Sequence, residues 1–247
     1  MIYFVLPVYN EAENLAHLLK TLSEIAKKTG SDYTMVVVND GSRDRSLQVL
    51  EELSNTYPLK ILSHDRNQGP GAAFRTGFDH TLNIAKDDDV IITMDADNTH
   101  STKTIGMILA SLKEGYEVAI ASVFASGGMM IGVPFLRYLL TLACNFLYRI
   151  LFPVRGVREY TGFYRGYRVD SLKNAREKLH GKLFTVNGFG AMAELIVRLR
   201  QVPVFMIEVP MIVRYDQKGG KSKMRVLRTI TEHLKIISSN LFARHIA

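Results

Sequence analysis

Residues 90–103 read VIITMDADNTHSTK. An apolar, β-branched run from Val90 to Thr93 leads straight into Asp95-Ala96-Asp97. Two carboxylates one residue apart, at the end of what reads as a buried strand, set a problem. Like charges that close resist ionising together. Either a turn solvates them or a cation lies between them. The first alternative needs nothing else from the chain; the second needs a site around them.

Working outward, the same strand-then-polar pattern recurs. IYFVLPV (2–8), YTMVVVND (33–40), LKILS (59–63) and EVAIAS (117–122) read as further strands. Between them lie helical spacings: Leu15, Leu18, Leu19, Leu22 and Ile25 behind an Asn10 cap with Glu13 three residues on, then Leu47, Leu50 and Leu53, then Gly69 to Ala85. Near-continuous apolar strands alternating with helices predict an α/β fold, a mostly parallel sheet covered on both faces. Each strand ends in polar residues: Pro7, Tyr9, Asn10 and Glu11; Asn39 and Asp40; His64 to Asn67; Asp95 and Asp97; Ser122. Any one of these clusters is ordinary turn chemistry. Five together mark the carboxyl edge of an open sheet, where ligands bind. The glycines of GPGAAFRTG follow the third strand, whereas a dinucleotide fingerprint follows the first, so that reading is set aside.

The 247 residues carry a net charge of +7, unevenly spread: residues 131–168 hold +5, residues 214–247 hold +6, and the remainder is −4. Basic segments beside an acidic crevice point to an anionic partner. The single cysteine, Cys144, excludes an internal disulfide and suits a reducing compartment. The first residues lack a basic n-region and a cleavage site, so no signal peptide is expected. The longest uncharged run, 118–136, is broken by Gly127-Gly128, Gly132 and Pro134, and a spanning helix is not expected there. Residues 135–152 instead predict a helix with one narrow polar stripe, Arg137, Thr141, Asn145 and Arg149, in an otherwise apolar surface. It reads as either a core helix bordering the site or an interfacial helix with its apolar side in lipid. A last helix near 225–243 places Leu227, Ile230, Leu234, Ile237 and Leu241 on one face, for packing on the domain or for lipid.

For the carboxylate pair, hard divalent cations take oxygen ligands, commonly one or two carboxylates plus substrate phosphates. A divalent cation such as Mg²⁺ bridging a nucleotide diphosphate answers the pair best. On an extended end Asp95 and Asp97 point to opposite sides, one to the metal and the other to a sugar or ribose, unless the turn bends them together.

LPVYNEAENL, VVVNDGSRDRS, RNQGPGAAFRTGF and MDADNTH resemble the successive motifs of the family 2 glycosyltransferases, which have the GT-A fold. VREYTGFYRGYR and GGKSKM resemble the polyprenol-phosphate branch of that family, and the likeness runs from about residue 2 to 225. The resemblance implies that Pro7, Tyr9, Glu11 and Asp40, with neighbouring Asn10, surround the donor's base and ribose. It implies that Asp95 and Asp97 hold the sugar-diphosphate and its metal, and that Arg66, Gly69 and Gly71 shape the donor pocket. It further implies that Arg137 and Thr141 bind the acceptor phosphate. The candidate catalytic residues are Asp97, Arg137 and Glu194. This chain departs from the pattern at Asn39, Thr99, Val123 and Glu159.

A hydroxyl acceptor needs a general base. A polyprenyl phosphate, with a second pKa of about 6, is mostly dianionic at neutral pH and needs cations instead. Arg137, Arg165, Arg214, Lys218 and Lys223 are the candidate holders. Glu194 reads as a base, as a partner that organises these arginines, or as a solvated helix carboxylate. The expected function is inverting hexosyl transfer from a nucleoside-diphosphate sugar to a polyprenyl phosphate. Its expected place is the cytoplasmic side of a membrane, held peripherally or through an anchor borrowed from a partner protein. The alternatives are transfer to a lipid or glycan hydroxyl and, less in keeping with the acidic PVYNEAEN, a nucleotidyltransferase. A nucleic-acid binder would leave the acidic crevice unexplained. One domain is expected over 1–247, with 1–125 facing the nucleotide sugar and 126–247 the acceptor and membrane.

Overall fold

The computed structural model describes residues 1–217 and 226–242. In chain order these form β1 (Ile2–Val8), α1 (Ala12–Lys28), β2 (Tyr33–Asn39), α2 (Ser46–Leu53), β3 (Leu59–Ser63), α3 (Pro70–Ile84), β4 (Val90–Thr93), α4 (Thr104–Lys113), β5 (Val118–Ser122), β6 (Met129–Ile131), α5 (Phe135–Leu151), β7 (Arg165–Arg168), α6 (Val169–Lys178), α7 (Ala191–Leu199), β8 (Met206–Pro210), β9 (Ile212–Arg214), a 3₁₀ turn at Tyr215–Gln217, and α8 (Val226–Phe242). Seven strands make one sheet in the order β3-β2-β1-β4-β7-β5-β8, while β6 and β9 pair separately. Every pairing in the large sheet is parallel except those of β7, which runs antiparallel between β4 and β5.

Both faces of this sheet are covered, which is why its strands are apolar at successive positions. Val5, Val36, Ile91 and Ile120 pack with Phe74, Phe78 and Leu195 on one side. Phe4, Met35, Val37 and Ile92 pack with Leu15, Leu22, Leu50 and Ile108 on the other. The alternation is the period-2 rule of an extended chain. Gly77 lets α3 lie directly on β1, since a Cβ there would overlap Val5. Gly166 does the same for β7 and α4, where a Cβ would overlap Ile108. The residues Arg165-Gly166-Tyr167-Arg168 carry little strand pattern, yet they complete the sheet from the second half of the chain.

Two expectations change. Asn10 does not cap the first helix: it takes a left-handed backbone (φ 54°), and α1 starts at Ala12. The first turn is held from a neighbouring loop instead, with Ala12 N donating to Asp44 Oδ2 at 3.2 Å and Glu11 N to Ser46 Oγ at 2.8 Å. The start of the last helix does not join the core: Leu227 is 81% exposed, while Ile236 and Ile237 are buried. The uncharged run 118–136 is divided among β5, a turn, β6 and the start of α5, and no helix among the described residues is long and apolar enough to cross a membrane.

Candidate active site

Parallel strands bring their carboxyl ends to one edge, and the polar clusters meet there. The loop after β1 is wrapped by residues 41–46: Asn10 N donates to Ser42 Oγ at 3.0 Å, and Arg43 N to Asn10 Oδ1 at 2.7 Å. Asp40, buried at the end of β2, accepts from the backbone N–H groups of Gln68 (2.9 Å) and Gly69 (2.8 Å) and lies 2.7 Å from His64 Nδ1. Its carboxylate thus ties the β3–α3 loop to the edge. Gly69, at φ 101°, makes the turn into α3 that this tie requires.

A cavity of about 490 Å³ opens above this edge. Pro7, Tyr9, Glu11, Asp40 and Asn67 line part of it, and Asp95, Asp97 and Arg137 another. Strand β4 stops at Thr93, so Asp95 and Asp97 stand on a turn, and both carboxylates face the same space. Asp97 is buried; its Oδ1 accepts from Thr99 N at 3.2 Å and from Thr99 Oγ1 at 2.6 Å. Thr99 therefore orients Asp97 from within the turn. Asp95 is more open, with His100 Nε2 3.9 Å from its Oδ2. Among the described residues no group of three His, Cys, Asp or Glu could hold a metal. Two carboxylates at one corner of a polar cavity fit a hard cation that takes its other oxygens from phosphate and water.

A second cavity, of about 450 Å³ and mostly apolar, runs between α5 and α8. Leu140, Cys144 and Leu147 line it from α5, and Ile230, Leu234 and Ile237 from α8. Its polar end again contains Asp95, Asp97 and Arg137. The Arg137 guanidinium donates to the Tyr215 hydroxyl at 2.9 Å and lies 4.9 Å from the centre of that ring. Thr141, one turn on, donates to Arg137 O at 2.9 Å. Burial shifts three titratable groups along this wall toward their neutral forms. It pushes the Cys144 thiol up to about 12, raises the Glu159 carboxyl, and lowers the His233 imidazole to about 4. Glu159 folds back on its own turn, accepting from Thr161 N, Thr161 Oγ1 and Gly162 N at 3.0–3.2 Å.

Several expected site residues lie elsewhere. Arg165 is fully buried, its guanidinium donating to Met192 O and Tyr160 O, so it braces the core and reaches no ligand space. Glu194 is also buried: it accepts from Thr185 N, Thr185 Oγ1 and Val186 N at 2.8–2.9 Å and pairs with Arg198 at 3.6 Å. It is neither a solvated carboxylate nor a partner of Arg137; it anchors the loop 185–190. Arg66 is exposed and is not among the residues that line this cavity, whereas Arg43 and Asn67 are. Arg214 is exposed and paired with Asp216 at 2.8 Å. Asn10 builds its loop and does not line the cavity. Lys218 and Lys223 lie outside the described residues. Unexpected from the sequence is a wall made by Gly188, Phe189, Arg228, Thr229 and Glu232. The Arg228–Glu232 spacing of four residues, opposite the apolar face of α8, was the available signal.

The family model described as glycosyl transferase family 2 matches residues 3–176. A dolichol-phosphate mannosyltransferase of Pyrococcus furiosus is 30% identical over 235 residues, 94% of this chain and 61% of that protein, so the chain spans about three-fifths of that relative. A polyprenol monophosphomannose synthase of Mycolicibacterium smegmatis is 29% identical over 222 residues, 89% of this chain and 79% of that one. Among solved structures, glucosyl-3-phosphoglycerate synthase from Mycobacterium tuberculosis, in complex with Mn²⁺, uridine diphosphate and phosphoglyceric acid, superposes with a TM-score of 0.67 at 16% identity, covering 99% of this chain and 78% of that one. At that identity the likeness shows the fold alone, which is of the GT-A type.

Proposed function

The chain belongs to glycosyl transferase family 2, and from that premise we propose that it transfers a hexosyl group from a nucleoside-diphosphate sugar to a polyprenyl phosphate. One observation carries the reading: a polar cavity and an apolar cavity share Asp95, Asp97 and Arg137. The donor takes the polar cavity, with its nucleoside toward Pro7, Tyr9 and Asp40 and its diphosphate toward the carboxylate pair. The acceptor's chain takes the apolar cavity, which directs its phosphate to the shared corner beside Arg137. The relatives, named for dolichol phosphate and polyprenol monophosphate, support this acceptor class.

The chemistry follows from that placement. An acceptor phosphate oxygen attacks the anomeric carbon, and the bond from that carbon to the diphosphate oxygen breaks with its electron pair leaving on the nucleotide. Attack opposite the leaving group inverts the configuration. No proton has to be removed, because the phosphate monoester is mostly a dianion at neutral pH. Arg137 holds that dianion against the charge of the diphosphate. A Mg²⁺ or Mn²⁺ held by Asp95 and Asp97 would supply charge neutralisation for the leaving diphosphate; the M. tuberculosis synthase was solved in complex with Mn²⁺. A hydroxyl acceptor would need a base, and the Glu194 carboxylate is committed to its loop.

The exposed apolar side chains of α5 and α8, among them Phe135, Leu136 and Leu227, are the surface that meets the membrane in this reading. The enzyme then sits peripherally, on the cytoplasmic side, where its lone thiol stays reduced. In this reading residues 1–125 supply the nucleotide end of the site, and the described residues after 125 supply most of the acceptor cavity and the donor cavity's wall at Gly188, Phe189 and Glu232.

The test is a transfer assay with UDP- and GDP-hexoses, polyprenyl phosphate or the matching polyprenol, and Mg²⁺, Mn²⁺ or EDTA. Metal-dependent product on the phosphate alone is the expected result. Product on the alcohol alone would overturn it.

A further inference from the structure

Besides Pro7, Tyr9, Asp40 and the Asp95–Asp97 pair, the donor cavity is lined by Gly188 and Phe189 and by Arg228, Thr229 and Glu232 of α8. The proposed donor's nucleoside and diphosphate are not assigned to that wall, which is left for its sugar. We propose that Glu232 of α8 reads that sugar, with hydroxyls of the hexosyl group donating to its carboxylate. The inference rests on the donor being a nucleoside-diphosphate hexose and adds a specificity-determining residue to that site.

Four observations support it. Glu232 lines the same cavity as Asp95 and Asp97. Its side chain is only 16% exposed, and Arg228, one turn earlier, lies 3.4 Å from Oε1. Its Oε2 is buried with no hydrogen-bond partner among the described residues. Finally, the carboxylate rests on Gly188, where any side chain would overlap both of its oxygens.

A carboxylate serving only as a helix staple would have its second oxygen in water or on a protein donor, because buried polar groups are almost always paired. Here that oxygen has neither. The terminal torsion of glutamate is broad, so a small rotation turns Oε2 from Gly188 into the cavity. A hexose offers neighbouring hydroxyl donors, and a carboxylate accepts from two at once. The bare backbone at Gly188 leaves the carboxylate room at the wall of the cavity that Phe189 also lines. The residues proposed for the nucleoside, Pro7, Tyr9 and Asp40, come from the ends of β1 and β2 and not from α8, so Glu232 should distinguish a sugar nucleotide from its nucleoside diphosphate.

The experiment measures Kd by calorimetry for UDP, GDP, and the glucose and mannose forms of each, with Mn²⁺, in wild type, Glu232→Gln and Gly188→Ala. Wild type should bind its hexose nucleotide more tightly than the bare diphosphate. Glu232→Gln should weaken the hexose nucleotide roughly 10-fold or more, as expected for losing a hydrogen bond to a charged group, and leave the bare diphosphate within about twofold. Gly188→Ala keeps the helix untouched and displaces the carboxylate by its methyl group, so it should show the same selective loss. The pair Gly188→Ala/Glu232→Gln should lose no more than either alone. Equal losses for diphosphate and sugar nucleotide, or no loss in either variant, would overturn the role of Glu232. A wild type that binds no sugar nucleotide would overturn the donor reading with it.

Discussion

Asp97 and Glu194 are both buried carboxylates that accept backbone N–H groups, yet they have different work. Asp97 keeps one oxygen on Thr99 and faces the cavity; Glu194 spends both oxygens on the loop 185–190. Asp97→Ala should therefore abolish transfer and the metal-dependent rise in melting temperature while the metal-free melting temperature changes little. Full activity in EDTA would show that the pair holds no metal that transfer needs. Glu194→Gln removes the charge from two backbone contacts and a threonine contact, and each such bond carries roughly 1.5–3 kcal/mol. That variant should unfold at lower urea and keep the pH profile of the wild-type rate. A loss of ~10²–10⁴ in rate at unchanged stability would instead mark general-base catalysis. Arg137→Ala is the complementary case. Losing one charge-assisted phosphate contact should slow transfer roughly 10- to 150-fold, and a near-normal rate would remove Arg137 from the acceptor site.

At the scale of elements, α5 and α8 decide how the molecule meets a surface. Phe146 and Ile150 are 61% and 60% exposed on α5, so they contribute little to the core. The protein should sediment with anionic liposomes, less so at high salt, since exposed charges are screened over ~8 Å at physiological ionic strength. Phe146→Asp with Ile150→Asp should abolish that binding without lowering the melting temperature. Binding that survives in the double variant would place the contact elsewhere. These helices also show what the sequence makes legible. The period of α5 announced its polar stripe, and the runs of β1, β2, β4 and β5 announced the sheet. Strand β7 stayed hidden because Arg165-Gly166-Tyr167-Arg168 has neither alternation nor a β-branched residue; its glycine serves the approach of α4. The direction of a long side chain was hidden too. Nothing in the motif around Arg165 tells that its guanidinium turns inward to Met192 O and Tyr160 O. In α8, one apolar face was legible, but not that only its later part would find a core.

For the whole molecule, closure of both cavities depends on α8 staying docked, and a titrating contact holds it there. Tyr148 of α5 and His233 Nδ1 of α8 are hydrogen-bonded at 2.9 Å. Burial lowers the His233 pKa from 6.5 to about 4, so the folded chain carries this imidazole neutral. Between pH 6.5 and about 4, the unfolded chain binds a proton at this histidine that the folded chain refuses. Stability from this group is therefore complete above pH 6.5 and falls as the pH drops through that window. Glu159, raised by burial from 4.5, acts in the opposite direction: keeping it ionised costs stability as pH rises above its unfolded value. It stays in place in a His233→Asn variant, so its effect cancels in the difference between the two proteins. Urea unfolding of both at pH 7.5, 6 and 5 should show the wild type losing stability relative to His233→Asn as the pH falls. Over the same window binding of the polyprenyl phosphate should weaken more in the wild type than in His233→Asn, a difference from which protonation of the phosphate itself cancels. Parallel stability curves for the two proteins would show that His233 protonates freely and that α8 is held by its apolar contacts alone.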